Sequence, residues 1–290
     1  MATSQEAVIV VFGGTGRQGG AVARELLRRG RKVRAVVRDT ESAGARALEQ
    51  LGAALVKGDM EDPQSLDTAL QGARGVYSVQ TFEGPDGSAG EIRQGKAVAD
   101  AAKRAGTAHF VYGSVGGAER SSGVEHFESK GEIERYITEL GLPATVLRPT
   151  MFLSNFAGMG PALVDGELVL TIALDPATVL QMIAVEDIGV FAADAFEDPE
   201  HYVGRQIEIA GDALSGPEMA EVFARVSGVP TRFQELPIEE IRKFSEEAAV
   251  MFDWFNKEGY KADLPALRVI HPDLITLENW VERNWTAPTP

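Results

Sequence analysis

Through its first half the chain alternates short apolar runs with amphipathic stretches. Runs at residues 7–12, 32–37, 53–56, 75–79, 109–112 and 144–147 have the length and composition of strands. Between them the spacing is helical. Val22, Leu26 and Leu27 share a face and Gly30 closes that helix; further helices are predicted near 42–51, 63–70, 91–105 and 124–140. Strands separated by helices of this length need crossover connections, which give a mostly parallel sheet covered on both faces. The pattern predicts an α/β protein with a Rossmann-type, doubly wound parallel sheet. After residue 150 the pieces shorten: a loop with Gly and Pro, strand-like 168–172, a helix over 185–196, a strand at 206–209, then helices over 216–226, 238–255 and 274–283. The expected division is a first domain at 1–150 and a smaller α/β C-terminal substrate or lid region at 151–290, with the chain re-entering the first domain.

Charge and composition narrow the function classes. A chain of 290 residues that is 44% hydrophobic can bury a sizeable core. With 28 basic against 43 acidic side chains its net charge is -15, a field that repels nucleic acid and anionic membranes, so neither is an expected direct partner. The absence of cysteine excludes disulfides, thiolate metal sites and thiol catalysis. His109, His126, His201 and His271 show no short ligand spacing, so no metal site is expected. Neither a Gly-x-Ser-x-Gly elbow nor a Gly-Lys-Ser/Thr phosphate loop occurs, which argues against hydrolases and nucleoside triphosphatases. The opening MATSQEAVIVVFGG lacks a basic segment before its apolar run, and no run could cross a bilayer, so the cytoplasm is the expected location.

One motif carries chemistry on its own. Gly13-x-x-Gly16-x-x-Gly19 follows a hydrophobic strand and opens an amphipathic helix, the context of a dinucleotide-binding loop. Gly13 serves the tight turn, Gly16 the close approach of backbone to pyrophosphate, and Gly19 the packing of helix on strand. Thr15, Arg17 and Gln18 complete the loop, whose helix N-terminus favours an anion. The second strand ends in Arg38-Asp39. Arg38 stands where the adenosine ribose lies and suits a 2′-phosphate, which favours NADP(H), whereas Asp39 admits NAD(H); the other account of the pair is a solvated salt bridge between them. Asp59 and Met60 follow the third strand, where Asp59 either accepts from an adenine amino group or caps the helix near Pro63. Gln80 and Thr81 follow the fourth strand, at the edge where ligands bind.

These features together resemble the NmrA-like family, in the atypical group of short-chain dehydrogenases/reductases, over nearly the whole chain. The motifs are VFGGTGRQGG at 11–20, VVRD at 36–39, GD at 58–59, HFESKGEIERY at 126–136 and LRPTMFLSNF at 147–156. In ordinary members of the superfamily this helix carries Tyr-x-x-x-Lys, the tyrosine moving a proton and the lysine holding the nicotinamide ribose. Here Lys130 remains and His126 stands in the tyrosine's place, one helical turn away on the same face. The resemblance implies a ribose anchor at Lys130 and candidate catalytic places at His126 and Ser114. His126 is either an acid near neutrality or a surface residue, and Ser114 either the superfamily's serine or a turn residue. Phe152 and Asn155 resemble the segment over the nicotinamide; they are either a wall and a polar contact, or core and a helix cap.

Two functions are expected from this set: a reductase using NADPH on a small apolar or quinone-like substrate, or a non-catalytic NADPH/NADP redox sensor whose cofactor state shifts a conformational or oligomeric equilibrium and so its binding to a regulated protein partner.

Overall fold

The computed structural model describes residues 7–288. Met1 to Glu6, part of the opening read above for a leader, lie outside these residues. The chain forms two compact units. Among the described residues the first comprises 7–118, 126–148 and 188–207, and the second 119–125, 149–187 and 208–288.

The first unit runs β1 (Val8–Val11), α1 (Arg17–Arg28), β2 (Lys32–Val37), α2 (Ala43–Gln50), β3 (Ala54–Lys57), α3 (Pro63–Leu70), β4 (Gly75–Ser78), α4 (Gly87–Arg104), β5 (His109–Gly113), α5 (Glu125–Glu139) and β6 (Ala144–Pro149). The sheet order is β6-β5-β4-β1-β2-β3, with Gln206–Ile209 added beyond β6. All five pairings among β1 to β6 are parallel. This is the doubly wound topology, with its switch point between β1 and β4, where a crevice opens at the carboxyl ends of the strands. Strand alternation divides the core. Val10 and Phe12 pack with Leu66, Leu70, Val98, Ala102 and Ile133 from α3, α4 and α5. Across the sheet, α1 buries Val22 and Leu26, and the later helix Val185–Glu197 comes so close at Gly189 that an added Cβ would lie 2.7 Å from Ala21 O.

Helix starts follow their capping chemistry. α3 has Asp62 at its N-cap, accepting from Gln64 N at 3.0 Å, with Pro63 behind it, so Asp59 is not the cap. α4 begins at Gly87, one turn before the 91–105 expected from its apolar spacing, because the pattern shows the buried face and not the polar first turn.

The second unit holds two three-stranded sheets. Asp212–Ser215, Val179–Ile183 and Met151–Phe152 form one, and Thr231–Glu235, Glu167–Ile172 and Ala162–Val164 the other. The expected helix over 238–255 is two helices, Ile238–Arg242 and Glu246–Lys257. Ser245 breaks the run by capping the second, accepting from Ala248 N at 3.1 Å. Among the described residues no helix is long and apolar enough to cross a membrane.

Asp187 ties the start of Val185–Glu197 to the C-terminal segment by accepting from Ile275 N at 2.9 Å. Burial pushes its carboxyl up to about 6, opposed by the Ile275 amide and His271 and reinforced by Glu186. The folded state therefore holds the proton more tightly than the unfolded chain. This contribution to stability is full below the unfolded value and is lost as pH rises through about 6. Relative to D187N, the wild type should lose about 2–3 kcal/mol of unfolding free energy between about pH 4 and about pH 7.5, measured by urea titration. Parallel profiles for the two proteins would show that Asp187 does not titrate there.

Candidate functional site

Between β1 and α1 the chain turns within residues 12–16. Gly13 adopts φ +66°, and Gly16 N donates to Gly13 O at 2.9 Å. At Gly19 there is no room for a side chain: an added Cβ would lie 2.4 Å from Gly13 O and 2.6 Å from Phe12 O. α1 therefore starts hard against the end of its strand. Its N-cap, Gly16, offers no side-chain acceptor, and its first turn carries no carboxylate. The amides and the positive end of the helix dipole are left for an external anion. Arg17 is exposed at the first position, Gln18 turns its amide inward beside Gly113, and Thr15 packs by Gly44 of α2.

A cleft of about 380 Å³ is bordered by Arg38, Asp59, Thr81, Glu91 and Arg93, from the segments that follow β2, β3 and β4 and from α4. Arg38 is exposed, and among the described residues it has neither a hydrogen-bond nor an ion-pair partner. The alternative account of Arg38, an ion pair with Asp39, is not seen; the Asp39 carboxylate accepts from Glu41 N at 2.9 Å. The other guanidinium on the cleft, that of Arg93, is occupied: it grips both oxygens of Glu61 at 2.8 and 2.9 Å and reaches Asp86 at 2.6 Å. Asp59 folds its loop by accepting from Glu61 N at 3.0 Å, and Thr81 Oγ1 accepts from Glu83 N at 3.1 Å. Met60 is half-buried with Sδ 3.6 Å from Gln80 Nε2. That same nitrogen donates to Ser78 Oγ at 2.9 Å, while Gln80 Oε1 is buried without a partner among the described residues. An orphaned acceptor at the carboxyl edge, a glycine cradle and an unpaired guanidinium are features that a dinucleotide would satisfy.

The α5 residues meet a different set of partners. Lys130 Nζ lies 2.7 Å from Glu91 Oε1, with the two side chains 11% and 0% exposed, and donates to Gln80 O at 3.3 Å. Ser129 Oγ donates to the other oxygen of Glu91. One turn earlier, the half-buried His126 ring stacks on Phe82, centroids 4.5 Å apart and 17° from parallel, and meets Phe127 edge-on. Ser114 is buried, and its hydroxyl donates to Glu134. That carboxylate also receives Arg148 Nε at 3.0 Å and Nη2 at 2.5 Å. Phe152 and Asn155 belong to the second unit, Phe152 ending a short strand beside Ile183. Asn155 precedes the helix Phe156–Met159 without capping it through its side chain.

The structure thus brings the glycine loop, Arg38, Asp59, Met60, Gln80, Thr81, His126 and Lys130 to the carboxyl edge of one sheet. The model of the NmrA-like family matches residues 5–284. The chain belongs to the NmrA-like family. It is 30% identical to an NAD(P)H azoreductase of Xenophilus azovorans, over 81% of this chain and 79% of the relative. Among solved structures, it is similar to NmrA, a negative transcriptional regulator in complex with NADP, with TM-score 0.82 and 23% identity over 97% of this chain and 96% of that one. It is also similar to an NADPH-dependent quinone oxidoreductase of Escherichia coli complexed with NADPH, with TM-score 0.80 and 23% identity over 95% and 99%.

Motif spacing in this NmrA-like sequence does not single out Glu91, Ser129, Phe82 or the Glu134–Arg148 pair. One signal for Glu91 was present. It falls on the buried stripe of α4 with Gly95, Val98 and Ala102, and a carboxylate on such a stripe calls for a partner. The identity of that partner depends on a different helix.

Gly19→Ala tests the loop geometry. Because the new methyl meets backbone that cannot yield, it should cost about 1–3 kcal/mol in urea-induced unfolding and weaken NADPH more than tenfold by calorimetry. Unchanged stability and affinity would show that the turn has slack.

Proposed function

We propose that this NmrA-like protein binds NADP(H) in the first-unit cleft and reduces small, apolar, conjugated acceptors of the quinone or azo kind. The carrying observation is Arg38, an unpartnered guanidinium on a cleft at the end of β2, while the neighbouring strand β1 leads into a helix whose N-terminus carries no side-chain cap. A planar fork of donors suits a phosphate at the adenosine end, and a neutral ribose would leave it unused. The similarity to the azoreductase supports a reductase.

The acceptor class follows from what the site residues are doing. The bound dinucleotide would supply a hydride. Ser114 has its hydroxyl directed to Glu134, Lys130 is held by Glu91, and position 126 is a histidine stacked on Phe82. A simple ketone would need a proton at its oxygen as the hydride arrives, and this set is poorly arranged to give one. Conjugated acceptors are less demanding, because the anion left after hydride transfer is delocalised and takes its proton from water. Gln80 Oε1 is a free acceptor for an amide at the sheet edge, and Lys130 a donor for a ribose hydroxyl.

The commitment of Ser114 to Glu134 also favours a second reading, a sensor that binds the dinucleotide without turnover and presents a redox-dependent surface to a protein partner. Such a partner must distinguish the cofactor states, since equal affinity shifts nothing. Cofactor oxidation followed with a panel of quinones, azo dyes and simple ketones separates the two. The reductase reading expects turnover with the first two groups; binding without turnover on any of them moves the sensor ahead.

Arg38→Ala should weaken NADPH by about tenfold to a hundredfold in calorimetric titration and leave NADH within about twofold. An equal loss for both dinucleotides would show that Arg38 is structural.

A further inference from the structure

We propose that Glu91, held by Ser129, is the positioning residue that fixes Lys130 for contact with the nicotinamide-side ribose of a bound dinucleotide. The inference rests on the cofactor reading above and concerns a carboxylate outside the motifs that suggested it.

An ammonium has three N–H donors. At Lys130 one goes to Glu91 Oε1 at 2.7 Å and one to Gln80 O at 3.3 Å, leaving one for a ligand. Gln80 follows β4, and β4 pairs with β1, so the ammonium stands at the carboxyl end of the strand next to the glycine loop. Glu91 also borders the cleft that Arg38 lines. The carboxylate is itself immobilised, because Ser129 donates to its second oxygen from the residue preceding Lys130. A free lysine has several rotatable bonds to restrict on binding; one held at its tip has met that entropy in the fold, which is preorganisation.

Stability alone does not call for ions here. Well-packed apolar side chains commonly match or exceed a buried pair, whereas removing one partner leaves a charge uncompensated. Glu91 also cancels the charge of Lys130, so the lysine acts at the ribose as an oriented donor and the attraction for phosphate falls to Arg38 and the start of α1. The two ends of the dinucleotide are thus served by different groups, and this separation is measurable.

The full-length protein is titrated calorimetrically with NADPH and with 2′,5′-ADP, which carries the adenosine end and lacks the nicotinamide ribose. Glu91→Gln is expected to weaken NADPH about tenfold and to leave 2′,5′-ADP within about twofold. Ser129→Ala should give a loss of about threefold with the same selectivity, and Glu91→Gln should add nothing to the loss already caused by Lys130→Met. A carboxylate that merely supports the fold would weaken both ligands equally or add its loss to that of Lys130→Met, and either result overturns the proposal. Where Glu91→Gln does not fold, the ratio between the two ligands for Ser129→Ala decides. Failure of the wild type to bind either ligand would overturn the cofactor reading and this inference with it. Normal wild-type binding with no selective loss in the variants overturns the inference alone.

Discussion

The start of α1 against the end of β1 is a contact of backbone with backbone. At Gly19 the helix lies so near the Gly13 and Phe12 carbonyls that a methyl group would overlap both. That closeness places the first amides of α1 at the carboxyl edge of the sheet with no side chain capping them. It also sets the distance from loop to sheet, and hence where the ends of β2 and β4 fall around the loop. Arg38 and Gln80 come to the same sheet edge as the loop because their strands flank β1 in a parallel register. A side chain at position 19 would move the helix and shift every one of these relations.

Behind the cleft, α5 contributes to two buried ion pairs, Lys130 with Glu91 and Arg148 with Glu134. Each carboxylate also accepts from a serine, Ser129 in one case and Ser114 in the other. Both pairs are satisfied on more than one side, which is the condition under which buried charge is tolerated. The arrangement restricts the chemistry. Ser114 and Lys130 are engaged in holding charges in place, so the arrangement suits binding and orienting better than general acid catalysis. An acceptor whose reduced anion is stable by itself, or a role in which binding is the outcome, fits such a site.

Much of the first unit was legible in the chain because its determinants are local. Apolar runs of strand length, helical stripes between them and a glycine triplet at the strand-to-helix turn each lie within a few residues, and the connection rule converts their order into a sheet. The second unit was harder to read. Val179–Ile183 and Thr231–Glu235 are short strands defined by pairing with distant segments, and the helix expected over 238–255 is divided by the capping oxygen of Ser245. Apolar spacing does not detect a cap inside a continuous amphipathic run.

By itself the sequence determined the doubly wound order, the position of the glycine loop, the guanidinium at the end of the second strand and the substitution of His126 for tyrosine. Only the tertiary structure decided the electrostatic state of those residues. Arg38 is unpaired because Asp39 folds back on its own loop, Lys130 is paired because α4 presents Glu91 to α5, and His126 rests on Phe82. The reason is that motifs and periodicity depend on neighbours along the chain, whereas burial, ion pairing and ring stacking depend on neighbours across it, set by how the helices lie on the sheet.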